Sequence, residues 1–305
     1  MRINELNITL PKKNDEEFLK INFDSLFSYD FASKQVYEFD IMDLETIIDE
    51  ENYQSVLFDI TRSIDNKQKI ITINKSMAEP IFLIHKLKEN ETIFSNSLKI
   101  KVAKDIKASL VEVFINSCAN SFYSVNRKIE LEENASLEYA KIQDISASNS
   151  MIFSLATKQK DISNLEISNF EYGNGFIVNS FENIIHSEFA NYELNGLVKL
   201  QNEATTSNLI KTIHNEKSSI SNINYKHTLK DSSKAVFKAK SIVNETALFS
   251  KAFQNCNTIL LSDDATIFAQ PHLEIYIDEL EASHGTTTGS LDKEQLLYLQ
   301  SRGIS

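Results

Sequence analysis

Tryptophan is absent from this sequence, and its 305 residues include only three prolines, six glycines and two cysteines. No G-x-x-x-x-G-K-[ST] or G-x-G-x-x-G pattern occurs, which excludes the glycine-rich phosphate loops of common nucleotide-binding proteins. If ATP is used, another subunit must bind it. Cys118 and Cys256 cannot form a disulfide framework, and no C-x-x-C or H-x-x-x-H spacing indicates a metal site.

Long apolar runs and basic clusters are missing as well. No stretch approaches the ~20 consecutive apolar residues of a membrane span, and the first residues, from Met1 to Asn4, do not open the apolar core of a signal peptide. The formal net charge is −12 and no dense Lys/Arg run occurs, which argues against nucleic acid or an anionic membrane as partner. These absences favour proteins or small ions as partners and a reduced cytosol as the location.

Short apolar clusters recur from Lys69 onward, with Asn, Ser, Asp and Lys between them. Their spacing of roughly ten residues predicts an all-β region. Only Asn174-Gly175 and Asn195-Gly196 have the sequence of a tight hairpin turn. Asn-rich corners such as Glu133-Asn134-Ala135 instead suit the bends of a β-helix. Periodicity alone leaves a sandwich, a barrel and a solenoid open.

The N-terminal part has a different pattern. A breaker at Pro11, a cap candidate at Asn14 and the acids after it predict a short helix. The apolar side chains available to that helix are Phe18, Leu19, Ile21 and Phe23. From Asp43 to about Asp65 the apolar residues fit a helical period better than a strand period. We therefore expect a mixed, largely helical region before the strands begin.

The most informative stretch runs from Asn255 to Gly303. It contains two short apolar strands, then a Ser-His-Gly segment with three threonines, then a helix with Asp292 as candidate N-cap. Four ordered segments carry the pattern: Asn257 to Leu261, Pro271 to Asp278, Ser283 to Gly289 and Leu291 to Ile304. Together they closely resemble the C-terminal signature of the SufB/SufD family, the scaffold proteins of the SUF iron–sulfur cluster assembly machinery.

Other parts of the chain extend this resemblance. Asn134 to Gln143 and Ile213 to Phe237 are similar to further family segments. The region around Pro11 is similar to a third, with Phe18 in place of the usual tryptophan. The resemblance implies a right-handed parallel β-helix core over residues 69–290. That core would follow a largely helical region at 1–68 and precede a C-terminal helical segment starting at 291–305.

The resemblance also implies a function. It indicates a scaffold subunit most like SufD, and not a turnover enzyme, that pairs with SufB and works with the SufC ATPase. No cofactor is expected to be permanently bound, since an iron–sulfur cluster would be transient cargo. Family members continue past the position of Ser305 with a helical segment that docks SufC. Either the sequence is truncated there or this member is divergent. The SufC contact is expected only if the helical segment that docks SufC follows.

Cys256 and His284 are the candidate residues for cluster assembly, partner contact and transient iron ligation. The resemblance places Cys256 where SufB has a cysteine implicated in accepting sulfur or holding the nascent cluster, and a thiolate suits both roles. It places His284 where the SufD histidine implicated at the SufB interface lies, and an imidazole can bind iron or relay a proton. We expect the sulfur at the edge of the solenoid and both residues on the face that meets the partner. A small buried hydrophobe and a structural histidine are the competing interpretations.

Two other functions remain open. A homodimeric SufB-like scaffold that holds the cluster itself is favoured by Cys256 and disfavoured by Gly285, where SufB has glutamate. The other is a β-solenoid interaction protein that shares the fold of the family but has lost its role in cluster assembly. Among the other candidates, Cys118 is expected to be structural and His214 to face a rung corner. His85, His186, His227 and His272 have no spacing that makes a metal site.

Overall fold

The computed structural model describes residues 1–12, 14–36 and 44–304 of the chain. Within these residues eighteen strands and three short α-helices are present. The strands are β1 (Ser33–Val36), β2 (Glu45–Ile48), β3 (Lys67–Ile73), β4 (Ile81–Leu87), β5 (Thr92–Val102), β6 (Lys107–Asn116), β7 (Phe122–Leu131), β8 (Ser136–Ile145), β9 (Ser150–Gln159), β10 (Asn164–Gly173), β11 (Phe176–Ile185), β12 (Asn191–Leu200), β13 (Thr205–His214), β14 (Ile220–Leu229), β15 (Lys234–Val243), β16 (Lys251–Leu260), β17 (Thr266–Ile275) and β18 (Glu281–Ser290). The helices are α1 (Asp24–Ser28), α2 (Leu57–Ile64) and α3 (Lys293–Ser301).

The strands alternate between two sheets. Sheet A contains the odd-numbered strands from β3 to β17, with β1 paired to β5 and β2 paired antiparallel to β3; sheet B contains the even-numbered strands from β4 to β18. All other pairings are parallel, and partners such as Thr206 and Ala235 are one turn apart in the chain. The result is a parallel β-solenoid of about eight turns, which confirms the predicted β-helix.

The corners of the solenoid use left-handed backbone conformations. Asn134, in the predicted Asn-rich corner, has a φ of 56°, a value that asparagine tolerates better than most residues. The two predicted hairpins are wrong. Asn174-Gly175 joins β10 to β11 in the other sheet, and Asn195-Gly196 lies within β12.

Gly196 is required by packing. A Cβ at Gly196 would lie 2.2 Å from the ring of Tyr225, its register partner on β14. The tyrosine therefore fills the space that a side chain on β12 would occupy. The sequence pattern Asn195-Gly196 indicates a turn, but the glycine lies within a strand, where it allows Tyr225 to pack closely.

The interior of the solenoid is mainly apolar but holds charged residues. Glu112 accepts hydrogen bonds from Arg127 Nε at 3.0 Å and contacts His85 Nε2 at 2.5 Å. Tyr139 donates its hydroxyl to the same carboxylate. Burial alone would raise the pKa of Glu112, but Arg127 and His85 hold it well below its usual value. This buried carboxylate is thus ionised and paired, as a charge in a low-dielectric interior must be.

The N-terminal segment covers the outer face of sheet A. Phe18, Phe23 and Phe27 pack in one apolar cluster with outward-facing residues of the sheet such as Phe122 and Ile152. The predicted first helix is only a 3₁₀ turn, Glu16–Phe18, followed by α1. In this way the segment buries one face of the solenoid.

The predicted helix from Asp43 to Asp65 is only partly correct. Asp43 lies outside the described residues, and Ile47 and Ile48 belong to the edge strand β2, whose pairing with β3 outweighs the helical spacing of its apolar residues. Only Leu57–Ile64 is helical. The described residues contain no helix with the length and apolar character needed to cross a lipid bilayer.

Candidate functional site

The C-terminal end of the solenoid is open. Among the described residues, β17 pairs only with β15, and β18 pairs only with β16, so each leaves one backbone edge without a strand partner. Nearly every residue of β18 is exposed. The side chains of β18 that would point into the rod are small or polar, among them Thr286 and Thr288. Open edges in a protein that stays monomeric are a liability, so this end has the features of a contact surface.

Cys256 lies one strand inside this end. It is on β16 with its side chain directed into the rod, where it belongs to the main apolar cluster and is 1% exposed. The expectation that the sulfur lies at the solenoid edge is therefore wrong. The reason is strand alternation: Asn255 and Asn257 point outward, so the residue between them points inward.

His227 contacts Cys256, although no sequence pattern singles it out. The Sγ atom of Cys256 lies 3.6 Å from Nδ1 of His227 on β14. Burial raises the pKa of the Cys256 thiol to about 11 and lowers the pKa of His227 to about 4. Both groups are therefore neutral near pH 7, and the pair is a thiol beside an imidazole, not an ion pair.

His284 lies on β18, the next strand after Cys256 in the same sheet. Cys256 pairs in register with Thr286, and Gln254 pairs with His284. His284 and Cys256 are thus on adjacent strands, two positions apart and on the same side of the sheet. Strand spacing and rise place their Cα atoms about 8 Å apart. The structure brings the two predicted residues to one end of the rod, with the imidazole exposed and the thiol covered.

The site is a short column of polar groups at the end of the rod. It contains a covered thiol, an imidazole in contact with it and a second imidazole on the outermost strand. Among the described residues no group of three or more His, Cys, Asp or Glu could hold a metal ion. A Cβ at Gly285 would meet only Asn255 Oδ1, at 3.5 Å, so the glycine is not required there by packing.

The other candidate residues have structural surroundings. Cys118 is buried, and burial raises the pKa of its thiol. His214 is also buried at the end of β13, where its two ring nitrogens lie 2.7 Å from Ser219 Oγ and 2.8 Å from Ser221 Oγ. It spans the inside of a corner, close to where the sequence predicts it.

A cavity of about 400 Å³ lies between the N-terminal segment and sheet A. Two of its lysines are engaged: Lys238 Nζ donates to the main-chain oxygens of Glu16 and Glu17, and Lys240 pairs with Glu274 at 2.5 Å. The cavity is also lined by Lys211; burial raises the pKa of the Glu17 and Glu182 carboxyls, while the charge of Lys211 lowers both.

Comparison with known proteins agrees with the fold and with the C-terminal pattern. Residues 84–305 match the family described as "SUF system FeS cluster assembly, SufBD core domain". The iron–sulfur cluster assembly protein SufD of Escherichia coli is 24% identical over 277 residues, covering 88% of this chain and 65% of that protein. SufD of Bacillus subtilis is 23% identical over 235 residues, covering 76% of this chain and 54% of that protein.

A plant relative, the chloroplastic protein ABCI7 of Arabidopsis thaliana, is 28% identical over 201 residues. That alignment covers 64% of this chain and 42% of ABCI7. The chain therefore spans less than two thirds of the length of these relatives. The family match covers most of the chain, including the open end with Cys256 and His284. The chain belongs to the SufBD core family of the SUF iron–sulfur cluster assembly system.

Proposed function

We propose that this chain is a SufD-like scaffold subunit of a SUF iron–sulfur cluster assembly complex. In this proposal it pairs through its open end with a SufB-like subunit and works with a SufC-like ATPase in the cytoplasm. It turns over no substrate itself. The iron–sulfur cluster is cargo that passes through the assembly and is not a resident cofactor.

The observation that carries the proposal is the geometry of the last two strands of sheet B. β18 has an open backbone edge and an exposed imidazole at His284, one strand above the Cys256 thiol. A partner that adds a strand to this edge would cover His284 and bring its own ligands close to the thiol. Thiolate binding to iron releases a proton, and the exposed imidazole of His284 is the nearby group that can relay it to solvent.

The test is co-expression with a SufB-like subunit, followed by co-purification and anaerobic cluster assembly. We expect the partner to co-purify, and Cys256→Ser and His284→Ala to lower cluster transfer to a client protein at least tenfold while the melting temperature stays within about 2 °C. Cys118→Ser is the matched control and should transfer clusters normally. Normal client maturation by both site variants would contradict the site assignment.

The second candidate is a homodimeric SufB-like scaffold, which the presence of Cys256 favours. It predicts a self-dimer that binds iron and sulfide anaerobically without another subunit. Gly285 is only a weak argument against the SufB-like scaffold, because the structure has room there for the glutamate side chain that SufB carries. A chain that forms neither the heteromer nor an iron-binding dimer would act as a β-solenoid interaction protein without assembly chemistry.

A further inference from the structure

The outer face of sheet B carries an apolar column far from the open end. Val113, Ile142, Phe170 and Leu197 are register partners on β6, β8, β10 and β12, and all point outward. Leu197 is 40% exposed, and the other three are partly exposed. The column ends at Lys226 on β14. Contiguous apolar surface of this kind on a soluble fold marks an interaction site more often than chance.

This column is absent from every buried apolar cluster of the described residues. The equivalent outer face of sheet A is different, since Phe122 and Ile152 there are covered by the N-terminal segment. The same rod thus has one apolar outer face that is covered by its own chain and another that is not.

A column of acids runs parallel to the apolar column. Glu138, Glu166 and Glu193 are register partners on β8, β10 and β12. Burial, and then the charges of Glu193 and Glu138, raise the pKa of Glu166. No salt bridge among the described residues neutralises these three carboxylates. Like charges directly opposite on neighbouring strands are destabilising, so this column is suited to an external cation.

Small side chains separate the two columns. Ala140 and Ser168 lie between them on β8 and β10, also pointing outward. The columns are four residues apart along each strand, or about 13 Å, and an α-helix with side chains is about 10–12 Å wide. The strand spacing of about 4.8 Å is also close to the helical pitch of 5.4 Å, so successive turns would face successive strands.

We propose that this groove docks an amphipathic helix of another protein, lying along the solenoid axis with apolar side chains on Ile142 and Phe170 and a row of Lys or Arg facing the glutamates. The row would place one basic residue per turn against Glu138, Glu166 and Glu193. The site is separate from the open end, so a partner there and a helix here can bind together.

Charge favours a basic protein over other occupants. The net charge of −12 disfavours a second copy of this chain, because two acidic surfaces repel each other. An anionic lipid surface is disfavoured by the glutamate column for the same reason. Both remain outcomes that the experiment distinguishes.

The first test uses a synthetic probe. An 18-residue helical peptide with a leucine face and one flank of lysines is titrated into the full chain, with fluorescence anisotropy as readout. A matched peptide has glutamate in place of each lysine. We expect only the lysine peptide to bind, and its affinity to fall at least tenfold in the Glu138→Gln, Glu166→Gln, Glu193→Gln triple variant.

The Leu197→Asp variant distinguishes specific docking in the groove from general electrostatic attraction between the basic peptide and the acidic chain. It adds a negative charge, which would strengthen unspecific binding of a basic peptide, but it breaks the apolar column and should weaken docking at least tenfold. Gln201→Glu, at the exposed corner that follows β12, adds the same charge away from the groove and should leave affinity within about twofold. Equal affinity of the Leu197→Asp and Gln201→Glu variants would overturn the proposal.

The second test is photocrosslinking in cells with benzoylphenylalanine in place of Phe170, and in place of the exposed corner residue Gln201 as control. We expect an adduct at position 170 with a segment of another protein that has apolar and basic residues at helical spacing, and about tenfold less adduct in the triple glutamine variant. An adduct between two copies of this chain, an adduct with lipid, no adduct, or equal adducts at both positions would each overturn the proposal. Folding is checked by circular dichroism.

Discussion

Cys256 is predicted to resist alkylation in the isolated folded chain. Burial raises the pKa of its thiol from 9.0 to about 11. At pH 7.5 a thiol with this raised pKa has a reactive thiolate fraction about a hundredfold smaller than that of an unperturbed thiol. The 1% exposure of the side chain adds a steric barrier, so a hundredfold reduction in rate is a lower bound.

The assay is a time course with iodoacetamide at pH 7.5, with the peptide containing Cys256 quantified by mass spectrometry. The same chain in guanidinium chloride supplies the reference rate. We expect the folded rate to be at least a hundredfold lower, and to rise tenfold per pH unit up to about pH 11, as long as the chain stays folded. A folded rate within about threefold of the reference would refute the burial of the thiol.

Thr286 provides the structural test of the same reasoning. It is the register partner of Cys256 on the exposed last strand, so Thr286→Gly removes the side chain nearest to the thiol on that side. We expect this variant to raise the alkylation rate at least tenfold. Thr288→Gly, two residues further along β18, is the matched control and should change the rate less than twofold.

Three further variants test the solenoid. Arg127→Met leaves the Glu112 carboxylate buried without its cation and should cost about 3–5 kcal/mol in denaturant unfolding, whereas adding Glu112→Leu should restore most of that loss. Gly196→Ala forces a Cβ into the tyrosine ring beneath it and should cost about 1–3 kcal/mol, while Gly285→Ala should be neutral within about 0.5 kcal/mol. His214 has a pKa lowered to about 4, so between pH 6.5 and 4 the unfolded chain binds a proton that the folded chain does not. Stability is therefore lost as the pH falls through that window, and thermal melts should show that His214→Gln removes up to about 3 kcal/mol of the loss.

The repeating pattern predicted strands but did not by itself predict the architecture. Apolar clusters at intervals of about ten residues indicate strands, and the resemblance to the SufB/SufD family was needed to choose a β-helix over a sandwich or a barrel. The pattern could not show that Gly196 lies within a strand. Its role depends on Tyr225, 29 positions later in the sequence and adjacent only once the turns stack.

The candidate site was predictable in part. The family pattern selects Cys256 and His284, but the direction of each side chain depends on the phase of its strand, and a shift of one residue reverses it. His227 was missed because it contacts Cys256 across neighbouring turns of the solenoid, which the linear sequence does not bring together. The register pairs Cys256 with Tyr225, 31 residues earlier, and His227 lies two residues further along the same strand, on the same side. Ile47 and Ile48 show the opposite error, since local spacing predicts a helix where pairing with β3 gives a strand.

The burial of Cys256 constrains how an assembly role can work. A thiol with a raised pKa behind one strand is inert toward solvent, which protects it from oxidation, but sulfur transfer or iron binding needs the thiolate. Only the β18 strand separates it from the open end, and that strand is bonded to the solenoid along one edge. A partner that pairs with the free edge of β18 could shift this strand relative to β16. Such a shift would change how well β18 shields Cys256 from solvent. The alkylation rate of Cys256 should then rise on partner binding in the wild-type chain, whereas in the Thr286→Gly variant, already uncovered, the same partner should change it little.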